Sequence, residues 1–235
     1  MSAAAERRRR RTPHTLSAQL AAAGVDARLA ERLARYGELV LESNRKFNLT
    51  GAKTEAEFAE HLLDSLTIVP YVTGPYVDVG SGAGLPAIPV AIATGARVTM
   101  IETTRKKATF LQHALEAFGI EGEVVAERAE VAAHDEKYRE RFASATARAV
   151  ALAPTVAELV LPFIEIGGLA IFQRGTMDAR ERTALEDASL MLGGRVETEH
   201  QLDGERRIVL VRKMGATAIR FPRRNGVPEK RPLCM

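Results

Sequence analysis

Five residues, Asp78, Gly80, Gly82, Gly84 and Glu102, have the types and the spacing that holding a nucleoside requires. The first four sit in YVDVGSGAG, Tyr76 to Gly84, and the fifth closes the segment VTMIE beyond an apolar stretch. An apolar run that ends in alternating glycines predicts a strand feeding a tight loop, where backbone N–H groups approach a ligand with no Cβ in the way. A carboxylate about 20 residues further on, at the end of a second strand, is placed to accept hydrogen bonds from ribose hydroxyls. The dinucleotide fingerprint puts glycines at its first, third and sixth positions. Here they take the first, third and fifth, Leu85 takes the sixth, and Asp78 lies two residues before the first. Two other readings stay open on these residues: a NAD or FAD site, and a structural βαβ turn whose glycines only permit close packing.

To bring loop and acid together the chain must alternate strands with helices. The pattern predicts strands at 76–79, 97–102, 122–126, 143–148 and 168–173, with helices near 85–94, 104–118, 154–161 and 178–192. Thr103 or Thr104 can cap the second of these helices, Leu111, Ala114, Leu115 and Phe118 line one face, and Gly119 can end it. Pro86 and Pro89 fall in or near the first turn of the first, where a missing N–H costs little. Short links between such units imply a parallel sheet with right-handed crossovers. Residues 195–202 and 205–213 read as two further strands joined by Asp203-Gly204, a hairpin signal. The expected fold is therefore α/β, a mostly parallel seven-stranded sheet ending in an antiparallel hairpin.

Ahead of it lies a helical extension. Leu29, Leu33, Tyr36 and Val40 form one helical stripe behind an N-cap at Asp26, and Phe58, Leu62, Leu66 and Val69 form another behind a Thr54/Glu57 capping box. A polar, basic connector, Asn44 to Lys53, separates them. The expected organisation is a disordered basic tail over 1–14, the extension over 15–72, the sheet domain over 73–215 and a basic C-terminal tail over 216–235.

The 235 residues suit one α/β domain with a small extension, and a hydrophobic content of 46% supports a real core. No apolar run approaches the ~20 residues that span a bilayer, and the arginine-rich start lacks the apolar segment of a secretory signal. Cys234 is the single cysteine, so no disulfide can form within the chain and a cytoplasmic location is expected. Net charge is +3, but its distribution says more. Arg7 to Arg11 is an unbroken basic run, read first as a solvated tail, and Arg220, Arg223, Arg224, Lys230 and Arg231 gather near the other end. Basic ends suggest a polyanion such as RNA. Pro222, Pro228 and Pro232 interrupt the second cluster and fix its local backbone.

The acid followed by GxGxG resembles the cofactor loop of class I S-adenosylmethionine-dependent methyltransferases, whose Rossmann-like sheet ends in such a hairpin. Together with further segments the chain resembles the ribosomal RNA small subunit methyltransferase G family, also called glucose-inhibited division protein B. These segments are Phe47 to Thr50, His61 to Leu66, Val77 to Pro89, Thr104 to Lys107, Thr146 to Val150, and Phe221 to Arg224 with Gly226, Pro228 and Lys230 to Leu233. They run in order from about residue 15 to the end. Two departures are Glu102, where Asp is common, and Ala87, where a further glycine is common.

The resemblance implies methyl transfer from S-adenosylmethionine to N7 of a guanine in 16S ribosomal RNA of the small subunit. That nitrogen carries a lone pair and no proton, so alignment suffices and no catalytic side chain is assigned. The tail cysteine is a poor nucleophile candidate, no Asn/Asp-Pro-Pro-aromatic motif follows strand four, and no metal is expected from the five histidines. The cofactor residues implied are Gly80 and Gly82 at the methionine end and Leu85 with the helix amides at its carboxylate. Glu102 falls at the ribose, Thr103 and Thr104 beside the adenosine, and Ala129 and Glu130 at the adenine edge. Arg148 could meet the cofactor carboxylate or a target phosphate, or form a structural salt bridge. His61 and Asp64 share a helical face and could cap the pocket or make a structural hydrogen bond. Asn48 and Lys53 could line its entrance. Arg223, Arg224, Lys230 and Arg231 are expected to grip RNA phosphates. A monomer that binds ribosomal RNA or the small subunit is expected. The alternatives are a methyltransferase for another RNA or a small molecule, and a non-catalytic RNA-binding ribosome assembly factor.

Overall fold

The computed structural model describes residues 15–148 and 151–235. The tail over 1–14, and Ala149 and Val150 of the fourth-strand segment, lie outside the described residues. The chain forms two compact units, one ending at Leu63 and one running Asp64–Met235.

The first unit holds α1 (Thr15–Ala22), α2 (Ala27–Asn44) and most of α3 (Glu55–Leu66). Asp26 caps α2 as expected, its carboxylate accepting from the N–H groups of Arg28 and Leu29 at 3.0 and 3.1 Å. Leu33, Tyr36 and Val40 of the stripe are buried, and the Tyr36 ring packs on Phe58, centroids 6.1 Å apart. Gly37 is required here: a Cβ would come within 2.4 Å of a Leu16 methyl and 3.1 Å of the Phe58 ring. The capping box forms with one change. Glu57 N–H donates to Thr54 Oγ1, but the Glu57 carboxylate accepts from Lys53 N–H rather than from Thr54.

The second unit carries β1 (Tyr76–Val79), α4 (Ala87–Thr94), β2 (Val98–Ile101), α5 (Arg105–Phe118), β3 (Gly122–Val125), the single turn α6 (Ala129–Ala132), β4 (Phe142–Arg148), α7 (Ala153–Val160), β5 (Ile164–Arg174), α8 (Ala179–Met191), β6 (Gly194–Gln201), β7 (Arg207–Lys213) and the turn α9 (Val227–Lys230). Its seven strands lie in the order β3-β2-β1-β4-β5-β7-β6. Pairing is parallel from β3 to β5, and β7 runs antiparallel to β5 and β6. The order reverses between β1 and β4, the switch point where such sheets leave a crevice at their carboxyl ends.

Gly119 ends α5 in the left-handed conformation, and Ile120 N–H returns to Leu115 O at 2.9 Å. Thr104 takes the N-cap position of α5, yet its side chain makes no cap bond. Strand β5 begins four residues before the expected start: Glu165 to Gly167 are exposed, so alternation fails there, and a bulge opposite Phe142/Ser144 absorbs the mismatch. The β6–β7 connection is longer than the two-residue turn expected. It spans residues 202–206, closed by Leu202 N–H to Arg206 O at 2.8 Å.

Candidate functional site

Beyond β1 the chain turns at Gly80, Gly82 and Gly84, whose φ angles of 75°, 57° and 88° are ones that residues with a Cβ rarely adopt. The amides of Gly80 and Ser81 both donate to Ile101 O at the end of β2, at 2.9 and 3.2 Å. Gly84 N–H closes onto Ser81 O, and Ile88 N–H onto Gly84 O, which leads into α4. Glu102 locks the loop from the side: its Oε2 accepts Gly82 N–H at 2.9 Å while Oε1 accepts Thr104 N–H at 2.7 Å. An ionised carboxylate offers roughly four lone-pair positions, so this buried group keeps capacity for further donors. Thr103 and Thr104 are exposed beside it. The amides of Leu85, ahead of α4, and of Ala129, at the start of α6, have no hydrogen-bond partner among the described residues.

Asp78 lies beneath the loop, fully enclosed. In register with Thr146 on β4, it accepts Thr146 Oγ1–H at 2.5 Å on Oδ1, and Tyr76 O–H donates onward to Thr146 at 2.6 Å. Its Oδ2 is buried without a partner. Burial pushes the Asp78 carboxyl up to about 6, against the pull of the Thr146 bond, of the nearby Ser81 hydroxyl, which itself donates to the Asp78 backbone carbonyl, and of the Arg148 charge; Glu102 pushes it further up. Asp78, Glu102 and Arg148 thus sense one another at the carboxyl ends of β1, β2 and β4. Burial, helped by the Asp78 charge, also raises the Tyr76 phenol well above its ordinary value. The sequence offered no signal for the Tyr76–Thr146–Asp78 chain, because only sheet register joins residues so far apart.

Arg148, mostly buried, donates to Asp64 Oδ2 at 3.3 Å, and Arg206 approaches the other oxygen of Asp64 at 3.5 Å. Glu130, expected at the adenine edge, is engaged within the chain. It accepts Gly226 N–H at 2.8 Å and the Arg128 guanidinium at 3.1 Å. Burial pushes its carboxyl up, but these donors outweigh burial and hold it below the ordinary range. In the first unit, His61 meets the edge of the Phe58 ring, and Asn48 and Lys53 are exposed. The connector that carries them is organised by Asn44, whose amide bonds both ways to Leu49, Thr50 and Ala52.

The C-terminal basic residues divide. The backbone N–H and the guanidinium of Arg223 clasp Glu158, a carboxylate with 0% exposure, at 2.6–3.1 Å. Its fork is therefore spent on a structural ion pair, which weakens the expectation that it grips phosphate. Arg224, Lys230 and Arg231 are exposed. No group of three or more metal-ligating side chains gathers among the described residues, and no helix there is long and apolar enough to cross a membrane.

Residues 29–209 match the model of a family described as GidB, rRNA small subunit methyltransferase G. The chain is 41% identical over 210 residues to the ribosomal RNA small subunit methyltransferase G of Pelotomaculum thermopropionicum, covering 84% of this chain and 88% of that one. It is 39% identical over 232 residues to the protein of the same name from Rubrobacter xylanophilus, covering 92% and 88%. Among solved structures, it resembles the mitomycin 7-O-methyltransferase MmcR with a TM-score of 0.54 at 16% identity, over 76% of this chain and 60% of that one. A mutant of MtNAS in complex with S-adenosylmethionine gives 0.53 at 19% identity, over 85% and 83%. At such identities these two speak to the fold alone.

Proposed function

The chain belongs to the rRNA small subunit methyltransferase G family, and on that footing we propose that it methylates N7 of a guanine in 16S ribosomal RNA of the small ribosomal subunit, with S-adenosylmethionine as donor. The observation that carries the reading is the Glu102 bridge, in which one buried carboxylate pins the glycine loop through Gly82 and the α5 entrance through Thr104. The bound cofactor supplies an electrophilic sulfonium methyl, and the residues present fit it. Glu102 keeps lone pairs for the two ribose hydroxyls. The unmatched amides of Leu85 and Ala129 suit the carboxylate and the adenine edge in turn. Gly80 and Gly82 keep the crevice wall free of side chains, and Thr103 and Thr104 flank the adenosine. Arg148, paired with Asp64 at the carboxyl end of β4, draws in a carboxylate or phosphate by its charge, while ionised Asp78 favours a cationic ligand above it.

Glu130 supports this end of the site through α6 and the Gly226 turn rather than by reading adenine itself. Guanine N7 has no proton to remove, so these residues bind and align without a general base. Arg224, Lys230 and Arg231 supply phosphate affinity, and the protein acts as a monomer in the cytoplasm. Glu102→Ala is expected to weaken cofactor binding at least tenfold by titration calorimetry, as expected for losing a charged hydrogen-bonding pair worth about 1.5–3 kcal/mol. Tritium from labelled cofactor should enter 16S RNA or small subunits with the wild type. Label absent from RNA, or an unchanged affinity in Glu102→Ala, would defeat the reading.

A further inference from the structure

A cleft of about 620 Å³ lies between α6 and the C-terminal segment, away from the glycine loop, and its charges do not cancel. Four of its lining residues are charged: Glu130, Arg220, Arg223 and Arg224. Arg223 is neutralised by Glu158, and Glu130 by Arg128. Arg220 and Arg224 are exposed and meet no carboxylate among the described residues. The Arg220 guanidinium sits 5.1 Å from the centre of the Phe221 ring, which restricts where it points. Val131, 45% exposed, and Pro222 add apolar surface to the lining, and Asn225 adds an amide. His134 is held with Nε2 on Pro222 O at 2.9 Å.

The walls are fixed. Arg139 binds the carbonyls of Thr217, Ala218 and Phe221, and Thr155 binds that of Pro228, so the segment carrying both arginines is fastened at several points. A preformed groove with two uncompensated guanidinium groups, an amide and a small apolar wall matches a phosphodiester strand: anionic oxygens on the arginines, a sugar or base edge on Val131 and Pro222. The volume is that of a small-molecule site, enough for a nucleotide unit.

We propose that this cleft receives the sugar-phosphate backbone of the substrate RNA, on Arg220 and Arg224. The proposal rests on the RNA methyltransferase reading and adds to it a defined groove, with Arg220 joining Arg224 on the phosphates. Since α6 is a single turn, its start at Ala129 faces the proposed adenine site while Val131 and His134 line this cleft, so the RNA strand would lie against the element that closes the cofactor pocket.

The test uses the full chain, a fluorescein-labelled ten-nucleotide single-stranded RNA, and the double variant Arg220→Ala, Arg224→Ala. Both side chains are exposed and meet no carboxylate among the described residues, so the variant should keep the wild-type S-adenosylmethionine affinity and, apart from the lost Arg220–Phe221 contact, the wild-type melting temperature. It should bind RNA at least tenfold more weakly at 50 mM salt, with a log–log salt slope flatter by about 1–1.5, the share of two phosphate contacts on a single strand. Arg220→Lys with Arg224→Lys should restore most of the slope. An unchanged affinity and slope in the alanine variant overturns the cleft, as does a decaglutamate peptide that displaces the RNA at equal concentration, which would make an acidic protein segment the occupant. If the wild type binds no cofactor and labels no RNA, the methyltransferase reading fails. A loss of slope in the variant would even then uphold the cleft as an RNA site, so the two failures are distinct.

Discussion

Asp78 is enclosed at the end of β1 with one oxygen on Thr146 and the other unpartnered. Its carboxyl is raised from 3.8 to about 6, chiefly by burial. The sign of the consequence is opposite to that of a salt-bridged acid. Below pH ~4 both folded and unfolded chains hold the proton, and between ~4 and ~6 only the folded chain does, so stability falls as pH rises. Above about 6 the loss is complete, roughly 3 kcal/mol at 1.36 kcal/mol per unit. Urea unfolding without cofactor should show about 2 kcal/mol of this decline between pH 4.5 and 7.5, and Asp78→Asn should flatten the curve by about that amount; parallel curves for the two proteins would refute it. A cationic donor favours the ionised form, so cofactor affinity should rise through pH ~6 in the wild type and stay flat in the variant.

At the scale of elements, the C-terminal segment is a docked strap rather than a free tail. Buried Lys213 at the end of β7 donates to Thr217 and to Leu161 O and pairs with Glu140 at 3.0 Å. Burial pulls the Lys213 ammonium down, partly offset by Glu140. Further along, Arg139, Glu158 and Glu130 each take hold of the segment. Losing Arg223 leaves the Glu158 carboxylate buried and uncompensated, a change worth about 3 kcal/mol. Arg223→Ala should therefore lower the melting temperature by several degrees and speed tryptic cleavage after Arg220 and Arg224, whereas Arg224→Ala should do neither. Equal melting temperatures for the two variants would show that the Glu158 pair does not hold the strap.

For the whole molecule, ligand binding and folding are one equilibrium. Cofactor at about 100 times its dissociation constant should add roughly 2.7 kcal/mol of stability, which for a chain of this size is a rise of about 5–10 °C in Tm. Gly80→Val should abolish that rise while far-ultraviolet circular dichroism stays unchanged, because the positive φ at Gly80 and its nearness to the ligand concern the crevice rather than the sheet. A Tm rise of wild-type size in Gly80→Val would place the donor elsewhere.

Local rules made much of this protein legible from its residues. Apolar runs marked the strands, Asp26 and Gly119 marked helix ends, and the acid, glycines and Glu102 marked the crevice, because each acts on neighbours a few residues away or at a fixed offset across one βαβ unit. The rest depended on what the sheet brings together. Register placed Thr146 against Asp78; packing of the C-terminal segment turned Arg223 inward onto Glu158 and left Arg220 and Arg224 without acids among the described residues; and Glu130 was claimed by the Gly226 amide. Charge and burial are properties of surroundings. A run of arginines in the sequence cannot say which of them a buried carboxylate 65 residues away will neutralise, and only the folded chain makes that choice.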